Sequence, residues 1–448
     1  MQLVAYGAQD LYLTGNPQIT FFKVVYRRHT NFSVEAILQT FNGTIDNEIN
    51  HVSSILSKNG DLVSKIWLDV QLDRTGASGS QYWNWCNNTG HALIKECEIE
   101  IGSQRIDKHT SQWLDIYNEL FDHDEKEWAG LNKHHSRDSY LRSGTPASIS
   151  QTTQLYIPLH FWFCDNPGLA LPLIALQYHD VILNFIFRDI NNLVNSIDTS
   201  IAPSISTIVS PTNNRSIQLW ADYIYLDTDE RRRFAQVSHE YLIEQVQRES
   251  GSMTTSFTLN INHPVKELIW VNQVDIFAQE ESLTGRKQID ATDNLEGTGA
   301  RKKTASVYEP RETTIWMKHD YFNYTSRESK NIEYIHGQQS YEAFKTMKLQ
   351  LNGHDRISSK NASYYRLCQP IQNNHKIPRK HIYCYSFALL PEEHQPSGTC
   401  NFSKIDSAEM IFTKDTNRDH TGETLSVYAI NYNVFRIVSG MGGLAYTN

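Results

Sequence analysis

The sequence predicts an all-β protein: two tandem eight-stranded antiparallel jelly rolls (a double jelly roll), with a short connecting helix and a few loop helices. Three observations carry that expectation. Apolar residues alternate with a period of two in block after block. Four such blocks recur in the same order in both halves. A helix-like stretch lies almost at mid-chain, where a connector between similar halves belongs. The length of 448 residues accommodates two β domains of about 200 residues each.

In chain order, Ile66, Leu68, Val70 and Leu72 share one face, and Lys65, Trp67, Asp69 and Gln71 the other. Cys97, Ile99 and Ile101 likewise oppose Glu96, Glu98 and Glu100. Both blocks read as half-buried antiparallel strands. Residues 113–128 read as a helix, with Trp113, Leu114, Tyr117, Leu120 and Phe121 in one stripe. The run VILNFIF, residues 181–187, is apolar on nearly both faces, as in a strand covered on both sides. A second helix is predicted over residues 228–247. Its stripe is Phe234, Val237, Tyr241, Leu242, Gln245 and Val246, and Asp227 and Glu230 are spaced as a capping box. Alternation resumes at Phe257, Leu259 and Ile261 against Thr258 and Asn260, and at Met347, Leu349 and Leu351 against Lys348 and Gln350. The polar stretches 75–80, 191–214 and 282–305 read as loops that carry contacts rather than core.

The repeat is read from four pairs. IEIGSQRIDKHTSQW (99–113) resembles LQLNGHDRISSKNASYY (349–365), and LVSKIWLDV (62–70) resembles PVKELIWVN (264–272). LYIPLHFWF (155–163) resembles IYCYSFALL (382–390), and WADYIYLD (220–227) resembles NYNVFRIV (431–438). Short alternating strands match by chance, so the weight lies in the shared order. Domains of about eight strands with long loops suit two sheets sharing one core.

Composition narrows the function classes. Hydrophobic residues are 40% of the chain, enough for large cores, which excludes disorder over most of its length. The richest apolar stretch, 155–176, is broken by Pro158, His160, Asp165, Pro167 and Pro172 and falls short of the roughly 18 residues a membrane span needs. The start, MQLVAYGA, lacks the basic region and apolar length of a secretory signal. With 41 Lys and Arg against 50 Asp and Glu, the net charge of −9 and the lack of a long basic tail argue against direct coating of nucleic acid. Cys86, Cys97, Cys164, Cys368, Cys384 and Cys400 form no CxxC pair. They read as reduced thiols of a cytosolic compartment, most of them packed as small hydrophobes.

A search for chemistry finds no marked site. His239-Glu240 begins like the HExxH metalloprotease helix, but Ile243 stands at the second histidine position. Gly297-Thr298-Gly299 completes neither GxGxxG nor a phosphate loop and reads as a surface loop with the basic tip Arg301-Lys302-Lys303. Asp122, Asp124, Glu125 and Glu127 around His123 read as a solvated helix end rather than a hard-cation site. His134-His135 lies in a polar loop. His160 and His179 would have to meet across a sandwich to hold a metal, and a packed core histidine is the commoner outcome for His160. No GxSxG elbow occurs. Arg231-Arg232-Arg233 reads as a solvated helix face paired with Asp227, Asp229 and Glu230. The sequons at Asn31, Asn42, Asn87, Asn214, Asn323, Asn361 and Asn401 read as chance in a chain without a signal peptide. The expectation is no catalytic, cofactor or metal residues, and no enzyme.

Three long stretches resemble the major capsid proteins of nucleocytoplasmic large DNA viruses. They are LVAYGAQDLYLTGNPQITFFKVVYRRHTNFSVE (3–35), LDTDERRRFAQVSHEYLIEQVQ (226–247) and NYNVFRIVSGMGGLAYTN (431–448). The turn ECEIEIGSQRID is similar too. The resemblance implies a homotrimer whose six jelly rolls form a pseudo-hexagonal capsomer, tiling the icosahedral shell of a large double-stranded DNA virus. It implies a virion protein made in the host cytoplasm. Its partners would be itself, neighbouring capsomers, and minor capsid and penton proteins; the arm at about residues 2–20 would lie on the inner side and contact neighbours or minor capsid proteins. No direct nucleic-acid binding is implied, an inner membrane is touched only indirectly, and surface glycans are allowed. The chain would divide into an arm (1–22), first jelly roll (23–227), helical connector (228–250), second jelly roll (251–440) and tail (441–448). Two other readings remain at this point. One is a jelly-roll lectin or glycosidase, using Trp83 and Trp85 or two carboxyls about 5–10 Å apart. The other is a minor capsid or penton protein, usually a single jelly roll, against which the repeat argues.

Overall fold

The computed structural model describes residues 8, 14–24, 26–43, 51–74, 83–86, 88–121, 151–196, 217–274, 321–322, 324, 342–378, 380–414 and 422–447. In the first half the principal strands are β1 (Phe32–Gln39), β2 (His51–Ile55), β3 (Leu62–Arg74), β4 (Ile94–Ile101), β5 (Gln104–Thr110), β6 (Gln151–Pro158), β7 (Val181–Phe187) and β8 (Ile217–Leu226). In the second half they are β9 (His239–Ser252), β10 (Ser256–Thr258), β11 (Pro264–Val274), β12 (Thr346–Leu351), β13 (His354–Asn361), β14 (Ile382–Ser386), β15 (Ala408–Thr413) and β16 (Glu423–Val438). The first half makes sheets of order β1-β8-β3-β6 and β2-β7-β4-β5; the second makes β9-β16-β11-β14 and β10-β15-β12-β13. Adding eight to a strand's number gives its counterpart, in identical sheet order. Every pairing is antiparallel, and the double jelly roll is the repeated pair of sandwiches. Short strands supplement this frame: Leu171–Pro172 on β3, Cys400–Asn401 on β11, Met441–Leu444 on β16, and the ribbon of Trp83–Trp85 with Val194–Ser196. The helices are α1 (Thr89–Leu93), α2 (Ser111–Leu120), α3 (Trp162–Asp165), α4 (Thr228–Gln236) and α5 (Gln369–Gln372), with a π turn at Tyr364–Cys368.

The period-two reading holds over the described positions of the first two blocks, but Leu351 is half-buried like Gln350, and the strand at Phe257 ends at Thr258 although Leu259 and Ile261 stay buried. The side chain of Leu72 lies outside the described residues. Ile66, Leu68 and Val70 are buried while Lys65 is exposed, and Cys97, Ile99 and Ile101 are buried against half-buried glutamates. The β4–β5 and β12–β13 turns carry positive φ at both central residues, Gly102-Ser103 and Asn352-Gly353, as the tight turns between twisted strands require. Strand pairing tests the repeat register. Leu68 pairs with Leu219 and Ile157, and its counterpart Trp270 pairs with Val427 and Tyr383. The β6/β14 match in the sequence is therefore one residue out of register, and the β8/β16 match three. Short apolar alternation fixes which strands correspond better than it fixes their alignment.

Four expectations need correction. The helix predicted over 228–247 ends at Gln236, and residues 239–252 are strand β9. Tyr241, Ile243 and Gln245 also alternate, and the long apolar strand β16 offers β9 fourteen paired positions, which outweighs a helical stripe of modest propensity. Asp227 does cap α4, but through the Thr228 amide. VILNFIF is fully buried on one face only; Ile182, Asn184 and Ile186 are half-exposed. The helix beginning at Trp113 is α2, starting at Ser111; its predicted continuation past 121 lies outside the described residues. Residues 441–444, expected in a tail, form a strand that folds back on β16.

That hairpin binds the halves together. The Tyr178 amide donates to Gly440 O at 3.0 Å, His179 Nδ1 lies 2.9 Å from Gly442 O, and the Leu444 amide donates to Gln104 Oε1 at 3.1 Å. A Cβ on Gly442 would stand 2.6 Å from Leu176 Cδ2 and 2.8 Å from Phe435 Cζ, both in fully buried side chains that have no room to retreat. Gly442→Val should therefore cost about 1–3 kcal/mol, read as a lower urea midpoint for the full chain. One core joins the first sandwich to residues of the second, including Ile269, Val271, Tyr428 and Phe435. A separate core, with Trp270, Tyr365, Tyr383 and Phe412, fills the second sandwich alone.

Candidate functional site: assembly surfaces

The junction between halves shows how one sandwich recognises another. Edge strand β9 meets edge strand β5: the Val246 amide donates to Asp107 Oδ1 at 3.1 Å, and Gln245 Nε2 donates to Ile106 O. Asp107 is buried and also pairs with His109 at 3.0 Å, whose ring stacks on Phe161. Beside them α2 lies on the second half. Trp113 packs on Tyr428 with ring centroids 5.4 Å apart, and the Tyr428 hydroxyl donates to Gln112 Oε1 at 2.8 Å. Gln112 Nε2 in turn donates to Gln273.

Two buried ionic groups hold this junction. Asp115 on α2 is wholly buried and accepts from Asn88 at 2.6 Å, Tyr324 at 2.8 Å and Lys380 at 2.5 Å. Lys380 also faces the rings of Phe322 and Tyr324. Burial, together with the Asp115 charge, pushes the Tyr324 phenol well above its ordinary pKa and so keeps it a donor. Burial pulls nearby His91 down to about 4, so it stays neutral despite Asp115. In the second group, His375 lies 2.8 Å from Glu267 and 2.6 Å from Glu392, and Phe121 of the first half sets its ring edge-on against it. Burial opposes the charge on His375, but the two carboxylates outweigh it and lift the pKa to about 9.

Among the described residues, three apolar surfaces stand exposed. The arm before β1 shows Phe21 and Phe22 at 90% and 100% exposure, with Ile19, Val24 and Tyr26 similarly open. The outward face of β1-β8-β3-β6 shows Phe32, Val34, Leu38 and Tyr156 around the half-buried stack of Trp67 on Trp220. On the second half, Ile371 and Leu389 are 60% and 78% exposed. Clusters of exposed apolar side chains are characteristic of surfaces that meet another macromolecule.

The residues weighed for chemistry are not drawn together. His160 pairs with Asp165 at 3.2 Å and stacks on Tyr117, while His179 serves the Gly442 hairpin. His239, at the start of β9, stacks on Phe234 and hydrogen-bonds its carbonyl. Arg231 pairs not with its helix neighbours but with buried Asp61 at 3.0 Å; Asp61 also accepts from the Leu226 amide, fastening α4 to the end of β8. Asp122–Glu127, His134-His135 and Gly297–Lys303 lie outside the described residues, as do the sequons at Asn87, Asn214 and Asn323; Asn31, Asn42, Asn361 and Asn401 are exposed. Cys86, Cys97, Cys164 and Cys384 are buried, in keeping with cysteines packed as small hydrophobes. Among the described residues no group of three or more His, Cys, Asp or Glu could hold a metal, and no helix is long and apolar enough to cross a membrane. The junction residues Asp115, Lys380, Glu267 and His375 carried no sequence signal, because each meets its partners only across long chain separations.

Comparison with known proteins gives consistent matches. Residues 20–227 match the family described as major capsid protein N-terminus, and residues 230–443 match large eukaryotic DNA virus major capsid protein. The major capsid protein of Pyramimonas orientalis virus is 42% identical, with 100% of this chain and 99% of that protein covered. That of Paramecium bursaria Chlorella virus 1 is 39% identical with the same coverage. A solved PBCV-1 virus capsid structure superposes with a TM-score of 0.68 at 33% identity, over 96% of this chain and 100% of that one. The Faustovirus major capsid protein, at 13% identity and a TM-score of 0.63 over 97% and 94%, shares the fold.

Proposed function

We infer the working role of this chain from one premise: it belongs to the major capsid proteins of large eukaryotic DNA viruses. It is a major capsid protein, and its place is the virion. Beyond that, we propose that three copies form a capsomer with a pseudo-hexagonal outline, and that such capsomers tile an icosahedral shell. The observation that carries this is the strand-for-strand equivalence of β1–β8 with β9–β16. One chain supplies two similar blocks, so three chains supply six. The division falls near residue 228, between the two family matches, with the helical connector reduced to α4. The exposed aromatic arm supports a docking role toward minor capsid or penton proteins on the inner side. The role is structural, without catalysis or direct nucleic-acid binding, and synthesis takes place in the host cytoplasm.

Light scattering of the purified chain should give three times 51.6 kDa, and electron microscopy of particles should show hexagonal arrays. A chain that stays at 51.6 kDa at every concentration, alone and with partner proteins, would sink the proposal.

A further inference from the structure

We propose that Lys380 and Asn88 are the two ends of an amide cross-link that the folded chain closes on itself, with Asp115 as the proton carrier and ammonia as the leaving group. An amine and a carboxamide share one buried carboxylate oxygen. Asp115 Oδ1 accepts from Lys380 Nζ at 2.5 Å and from Asn88 Nδ2 at 2.6 Å. The carbon that the amine would attack, Asn88 Cγ, is one bond from that nitrogen. The second carboxylate oxygen, Oδ2, accepts from the Tyr324 hydroxyl at 2.8 Å, which fixes the rotation of the acid between the other two groups.

Three features suit this group to a reaction rather than to an ion pair alone. Asn88 is 2% exposed, and its Oδ1 finds no hydrogen-bond partner among the described residues. Buried acceptors are seldom left so, and this one is open to a proton donor. The surroundings keep out water, the competing nucleophile. Asp115 is wholly buried, the Lys380 side chain is 20% exposed, and the rings of Phe322 and Tyr324 lie 5.1 and 5.8 Å from Nζ. Finally, Asp115 and Lys380 are 265 positions apart, on α2 and just before β14. The three groups meet only once the halves have docked, and docking then holds them in place for reaction.

The ionic pair is the resting form. Burial penalises separated charge, and the uncharged form arises when one proton moves along the hydrogen bond from Nζ to Oδ1. Lys380 is then an amine with an available electron pair, and Asp115 a neutral acid. Turning the Asn88 amide over brings its Oδ1 to the acid. The amine attacks Cγ and forms the new C–N bond, while the acid's proton passes to the carbonyl oxygen. Asp115, again a carboxylate, takes a proton from Nζ and hands it to Nδ2. The Cγ–Nδ2 bond breaks, the carbonyl re-forms, and the hydroxyl proton leaves with the nitrogen as ammonium. The products are the amide, the Asp115 carboxylate and one ammonium ion, with no oxidant or added reactant. The link joins the residue before α1 to the segment entering β14, one half of the chain to the other.

The test is the intact mass and peptide map of the purified full chain, taken at once and after days at neutral pH. A species lighter by one ammonia, about 17 Da, should grow with time, and proteolysis should release the Asn88 peptide joined to the Lys380 peptide. Lys380→Arg keeps a cation beside Asp115 but offers no amine, and should form no joined peptide. Asn88→Gly should likewise form none; glycine tolerates the φ of 49° at this position. Asp115→Asn should slow the joining by about 100-fold or more, with circular dichroism as the fold control. Should that variant unfold, Lys380→Arg and the wild-type map decide. The Asn-Gly steps at 42–43, 59–60 and 352–353 can also shed ammonia as succinimides, a loss that persists in Lys380→Arg and joins no peptides. A stored wild-type chain that keeps its full mass, or loses ammonia without a joined peptide, overturns the cross-link.

Discussion

Replacing Asp115 with Ala should destabilise the chain by about 3–5 kcal/mol, the cost of leaving a buried ionic group without its partner. Asp115 is the single acceptor shared by Asn88, Tyr324 and Lys380, so one truncation strands three donors. Lys380 suffers most, since its ammonium is largely buried and its remaining neighbours are the rings of Phe322 and Tyr324. Urea unfolding at constant protein concentration measures the loss. Adding Lys380→Met should return a substantial part of it, because removing both charges is milder than removing one. If Asp115→Ala unfolds within about 1 kcal/mol of wild type, the junction does not depend on this pair.

Raising the pH from 6 to 10 should remove about 3 kcal/mol of stability through His375 alone. Its folded pKa of about 9 lies above the ordinary 6.5, so the folded chain holds the proton more tightly than the unfolded one. The contribution is complete below about 6.5 and is lost as pH rises through about 9. Two carboxylates, Glu267 wholly buried and Glu392 partly so, then face each other across a neutral ring. His375→Gln should start less stable at pH 6 and show a flatter profile between 6.5 and 9. An equally steep profile in that variant would move the effect to another group.

Much of the fold was legible because period-two alternation records which face of a strand is buried. The blocks at β3, β4, β11 and β12 read as strands, and the pairs β3/β11 and β4/β12 align in the register the strand pairing shows. Residues 239–247 were not, because Tyr241, Leu242, Gln245 and Val246 satisfy a helical stripe and a strand equally well. The choice is made by β16, nearly two hundred positions away, and no local pattern reports it. The same limit hid the assembly surfaces. Val34 looks like an ordinary strand residue; only the sheet order shows that its equivalent in β9 is the half-buried Glu244, while Val34 itself stands open. The resemblance supplied the role, and the strand pairing supplied the surfaces that could perform it.

Residues 440–444 lie against Tyr178, His179 and Gln104, contacts that span 263 positions between His179 and Gly442. A growing polypeptide therefore exposes its first sandwich long before the strand that closes over Leu176 has been made. The early sandwich must stand with that flank open while the later one emerges. Only a chain translated through the glycine hairpin can present a finished block.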